Sequence, residues 1–140
     1  MRVDRLWIGN DGALRGVVHG ALPSKANSRK VATVGPKHAR RTLFIKSQEA
    51  RDYDDQFRVA VQSSNLGNAL PFDAAALEID VTVYQDSLRR DLDIELLCDC
   101  LQRSGVITND RKFWRKVSER KIDKQNPRVE FFIRKRKGLA

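Results

Sequence analysis

Three aspartates are the side chains of this chain best suited to chemistry. Asp91 and Asp93 stand two apart behind a pair of arginines, in Arg89-Arg90-Asp91-Leu92-Asp93, and Asp110 follows in Asn109-Asp110. Carboxylate oxygens suit a hard cation such as Mg²⁺, which keeps several waters and needs few protein ligands. Two or three carboxylates hold one or two such ions, which activate water and stabilise the leaving oxygen of a phosphodiester. Residues two apart diverge by about 200° on a regular helix, so Asp91 and Asp93 converge only if a helix starts at or after Asp93. Aspartate is also a favoured helix cap, so capping plus solvation is an equal reading of Asp-Leu-Asp taken alone. Glu95 and Asp99 extend an acidic stripe from Asp91 at helical spacing. Ser24 and Ser28 lie near no obvious base in the sequence, which leaves metal-activated water as the better-supported chemistry.

The elements that must position these groups are legible around them. Leu77, Ile79, Val81 and Val83 alternate with Glu78, Asp80, Thr82 and Tyr84, the period of a half-buried strand. Ile94, Leu97, Cys98 and Leu101 then recur at helical spacing, and Ser104-Gly105 suits the helix end because glycine accepts a left-handed backbone. Upstream, residues 3–8 and 13–22 flank Gly9-Asn10-Asp11-Gly12 and predict a hairpin. The stretch from Pro23 through Lys25, Asn27, Arg29 and Lys30, extended to Lys46, reads as a long basic loop for phosphate. Ser47 is expected to cap a helix running to about Ser64, with Tyr53, Phe57, Ala60 and Val61 as its apolar stripe. Residues 65–73 break that helix. Beyond Asp110, the spacing predicts a strand over 112–122, its phase blurred at Trp114 and Arg115, a turn over 123–127 and a strand over 129–133. The basic tail 134–140 is expected to be flexible until it meets an anion.

Length and charge narrow the function classes. With 140 residues the chain makes one domain with a real core, expected to be α/β (α+β): a mixed β-sheet packed with two main helices. No apolar run approaches the roughly 20 residues that span a bilayer, and the N-terminus is a poor secretory signal. Cys98 and Cys100 would face different sides of a helix, against a disulfide or a shared metal and in keeping with a reducing cytoplasm. Residues 1–46 carry ten Lys/Arg against two Asp/Glu, a net of +8. The centre, 47–110, carries five against thirteen, −8, and 111–140 twelve against three, +9. Basic flanks attract a polyanion, while an acidic centre repels one unless cations neutralise it. That combination suits a nuclease better than a protein that only coats DNA.

These residues resemble the RusA family of Holliday-junction resolvases, small phage-derived endonucleases. Pro23, Ser24, Asn27 and Arg29 match a Pro-Ser-x-Asn loop with basic residues, and Ser47, Ala50 and Tyr53 a Ser-x-x-Ala-x-x-Tyr helix start. Arg89, Arg90, Asp91, Asp93, Gly105 and Asn109-Asp110 follow the order of the central signature. The resemblance covers most of the chain. It implies Asp91, Asp93 and Asp110 as catalytic ligands of Mg²⁺, or of Mn²⁺ in its place. It further implies a homodimer that nicks opposing strands of branched DNA, in a bacterial cytoplasm and encoded by a phage or prophage. Lys25, Asn27, Arg29, Lys30, Arg89, Arg90, Arg111 and Lys112 are the expected DNA contacts. The chain departs from the family at Ile94, where an Asn is usual, and at Leu97, where a Lys is usual. Lys112 or Arg90 are the candidates to replace that lysine. A gapless alignment instead puts Arg89 and Asp91 at the two catalytic positions and Asp99 on a helix acid.

Overall fold

A computed structural model describes residues 3–24, 29–34 and 41–137, with 29–34 and 41–46 described by backbone alone. The strands are β1 (Arg5–Ile8), β2 (Leu14–His19), β3 (Arg29–Val34), β4 (Arg41–Lys46), β5 (Leu77–Gln85), β6 (Phe113–Ile122) and β7 (Arg128–Lys135). The helices are α1 (Gln48–Ser63) and α2 (Glu95–Arg103). Five strands form one mixed sheet in the order β1-β2-β7-β5-β6, and only the β5–β6 pair is parallel. A parallel neighbour requires a crossover, and α2 supplies it. The expected single domain with a mixed sheet and two helices is what the chain forms.

Alternation sets the core. Leu77, Ile79, Val81 and Val83 of β5 are buried beside Val129, Phe131 and Ile133 of β7 and Leu14 and Val18 of β2. Onto this face α1 brings Ala50, Tyr53, Phe57, Ala60 and Val61, and α2 brings Leu96, Leu97, Cys98, Cys100 and Leu101. Both cysteines are buried and free. Phe57 stacks on Phe131 across the layers, with ring centroids 6.2 Å apart. Among the described residues no helix is long and apolar enough to cross a membrane.

Three expectations need correction. The stretch read as a long loop to Lys46 contains the antiparallel ribbon β3–β4, in which Arg29 and Lys30 pair with Lys46 and Ile45. Its Val31–Val34 and Thr42–Ile45 runs are rich in β-formers, a signal that the dense Lys and Arg content masked. Lys25 and Asn27 lie outside the described residues. The final strand also reaches Lys135, so the basic tail begins inside the sheet. There the Arg134 guanidinium bonds Glu78 at 3.1 Å and Asp80 at 2.9 Å on the neighbouring strand, and such cross-strand pairs hold the charge in register. Third, the acidic stripe does not run along one helix, because α2 begins only at Glu95 and Asp91 lies in the turn before it. The uncertain phase near Trp114 has a cause of its own. Leu77 pairs with Phe113 but Glu78 with Arg115, so Trp114 is the extra residue of a bulge.

Candidate active site

The site is built where β5 ends. Gln85 is the polar residue on the otherwise apolar inward phase of β5, 3% exposed, and its Nε2 donates to the Asp91 carbonyl at 2.9 Å. A buried amide must find partners, and this bond draws the loop after β5 back against the strand end. Within that loop Arg90 Nε donates to Asp86 Oδ1 at 2.9 Å, and the guanidinium holds the Asp86 carboxyl below its usual range. Arg120 Nη2 on β6 donates to the Arg90 carbonyl at 3.2 Å. The backbone of the Arg-Arg-Asp motif is therefore tied to two parallel strands at their C-terminal ends.

Opposite this loop stands the start of α1. Ser47 Oγ accepts from the Ala50 N–H at 3.2 Å, so the helix begins where the serine predicts. That start sets Glu49 in the first turn, 3.9 Å from Arg90 Nη1. Leu22, Pro23 and Ser24 close the third side. A cleft of about 200 Å³ results, lined by Leu22, Pro23, Ser24, Glu49, Arg89, Arg90 and Asp91. Asp91 is exposed, and among the described residues its carboxylate takes no hydrogen bond or ion pair. The Arg89 side chain is exposed and equally unengaged, whereas Arg90 is committed to Asp86 and Glu49.

The other expected ligands sit around α2. Asp93 Oδ1 accepts the Glu95 N–H at 2.9 Å, satisfying one of the donors that a helix start leaves open. Asp110 opens a single 3₁₀ turn, and its N–H bonds Gln102 Oε1 at 3.0 Å. Burial pushes the Cys98 thiol up to about 12; Lys116 opposes the rise, while Glu95, Asp110 and Asp99 add to it. Asp110 is thus tied to α2 through Gln102, and Asp91 lines the cleft. Among the described residues no group of three His, Cys, Asp or Glu side chains is gathered to hold a metal. The donor chemistry nonetheless fits Mg²⁺, which commonly binds through one or two carboxylates and completes its shell with water and substrate phosphate.

Of the remaining expected contacts, Lys112 has a tight partner. Its Nζ lies 2.8 and 2.7 Å from the two oxygens of Asp73, which also accepts from Thr108 Oγ1 at 3.1 Å. Arg111 is exposed, and its backbone N–H donates to Asn109 Oδ1 at 2.9 Å. Glu49 and Gln85 escaped the sequence reading. Gln85 was detectable as the one polar residue on the inward phase of β5. Glu49 carried no local signal beyond its place in a first helical turn. Neither a family model nor a curated protein matches the chain.

Proposed function

We propose that the chain is a Mg²⁺-dependent, structure-selective endodeoxyribonuclease that resolves four-way DNA junctions by paired nicking as a homodimer. One observation carries the reading. Pro23 and Ser24, from the first motif of the resemblance, share a cleft with Arg89, Arg90 and Asp91, from its central signature. Two stretches far apart in sequence meet where a reactive group would be needed. Asp91, Asp93 and Asp110 would hold the ion, with Mn²⁺ able to replace Mg²⁺. The bound ion would supply an activated water and charge stabilisation at the scissile phosphate.

The chain's own residues do the rest. Arg89 offers a guanidinium without a partner among the described residues, and such a fork suits phosphate oxygens. Arg90 is fixed by Asp86 and Glu49, which orients the loop that carries Asp91. Selectivity would come from junction shape and from the spacing of two sites, since phosphate contacts position a protein without reading bases.

A second reading is a relative that binds branched DNA without cutting it. It is favoured by Ile94 and Leu97, which stand where the family has Asn and Lys and are both buried in the core. The test is cleavage of a labelled junction in Mg²⁺ or EDTA by wild type, Asp91→Asn and Asp110→Asn. Paired, metal-dependent nicks are expected, weakened at least about a hundredfold in either variant, a loss that even indirect ligand supports can cause. Tight binding with no nick in Mg²⁺ or Mn²⁺ would replace the enzyme with the accessory protein. Cutting that survives both substitutions would move the site elsewhere.

A further inference from the structure

The edge strand β6 is exposed over almost its whole length, and its charge is nearly all of one sign. Residues 111–124 hold seven Lys/Arg (Arg111, Lys112, Arg115, Lys116, Arg120, Lys121 and Lys124) against Glu119 and Asp123, a net of +5. Lysines on an edge strand have an ordinary use, since they deter pairing with another sheet. Three features exceed that use. The cationic run continues past both ends of the strand. Its side chains alternate across the edge, Arg115 bonding Asp80 on the open face of the sheet and Lys116 bonding Glu95 of α2, so both faces of the rim are positive. Finally, the strand leads to the cleft, because Arg120 bonds the Arg90 carbonyl.

These cations are only lightly held. Arg115 and Lys116 reach their carboxylates at 3.4 Å, and Asp80 has a closer partner in Arg134 at 2.9 Å. Lys121 is exposed and lies over the Tyr84 ring at 5.9 Å. Exposed pairs of this kind contribute little to stability, so a phosphate can displace them at small cost. At the far end Trp114 is 60% exposed with the Arg136 guanidinium 5.7 Å from its ring.

We infer that β6 is a track for the phosphate backbone of a duplex DNA arm, leading to the cleft at Arg89–Asp91. The six residue-to-residue steps from Arg115 to Lys121 span about 20 Å at roughly 3.3 Å each. Along the axis of a duplex, where each strand advances about 3.4 Å per nucleotide, that length corresponds to roughly six base-pair steps. The inference rests on the nucleic-acid reading above but not on cleavage.

The test measures binding of a fluorescent 20-base-pair duplex, about 68 Å long at 3.4 Å per base pair and so longer than β6, in EDTA, across a salt series. Arg115→Gln/Lys121→Gln is compared with wild type and with Arg51→Gln/Arg58→Gln, which removes equal charge from the exposed side of α1. The β6 variant should bind roughly tenfold more weakly, and its log K against log salt slope should fall by about 2, near 0.9 per lost phosphate contact. The α1 variant should stay within about twofold of wild type. Equal losses in both variants, or none in the β6 variant, would overturn the track. So would binding of polyglutamate with the same dependence on Arg115 and Lys121, which would make the partner an acidic protein. Should the double variant not fold, Lys121→Gln alone reads a slope change of about 1. Duplex binding through β6 without any junction cleavage leaves the track standing and ends the nuclease reading. Cleavage with full affinity in the β6 variant does the reverse.

Discussion

At the scale of single residues, the fold divides the charges into those with internal work and those available to a ligand. Lys112 belongs to the first group: its ammonium holds Asp73, with Thr108 assisting, and lowers that carboxyl from its usual value. A depressed carboxylate contributes stability above its unfolded pKa, near 4, and loses it as pH falls through the lower folded value. Lys112→Gln should therefore raise the Asp73 titration midpoint, measured by carboxyl ¹³C NMR, and flatten the fall in stability below pH about 4. Because the Lys112–Asp73 pair is only partly buried, solvent screens it and the accompanying change in stability at neutral pH should be small. Cys98 is internal in another sense. With its thiol pushed up to about 12 by burial, almost no thiolate exists at neutral pH. A thiol reagent should leave it unmodified in the native state and react on the timescale of unfolding.

At the scale of elements, short local devices set the places where the chain turns toward the cleft. After α2, Gly105 adopts φ 80°, its N–H bonds the Gln102 carbonyl, and the Val106 N–H bonds that of Leu101. This paired closure ends the helix and directs the chain into the loop that carries Asp110. Ser47 performs the matching task at the start of α1, where it fixes the turn that holds Glu49. Ser47→Ala should cost about 1 kcal/mol in denaturant unfolding. Under the proposed function that variant should weaken junction cleavage as well as stability, because the same turn sets Glu49 beside Arg90. Sheet packing imposes a stricter demand at Gly16 of β2, where an added Cβ would land on the ring of Phe131. The ring cannot yield easily, because Phe57 of α1 stacks against it. Gly16→Ala is expected to destabilise by about 1–3 kcal/mol, read as a Tm lower by roughly 3–10 °C.

At the scale of the whole molecule, charge separates by place. The acidic centre of the sequence supplies the loop after β5 and helix α2, while β6 borders them with cations. Sequence alone determined a good part of this. Period-two alternation in β5, the apolar stripe and serine cap of α1 and the Ser104-Gly105 helix end each depend on neighbours a few residues away. Local signals of that kind are written in the chain itself. Only the tertiary structure decided what depends on distant partners. It set Glu49 and Ser24 against Arg90 and Asp91, turned Asp110 toward α2, assigned Lys112 to Asp73, and placed β6 at the sheet edge beside the cleft. Those outcomes follow from strand order and from which carboxylate a lysine or arginine reaches first. Neither leaves a period or a spacing to read, because the partners are separated by loops whose path the packing of the core decides.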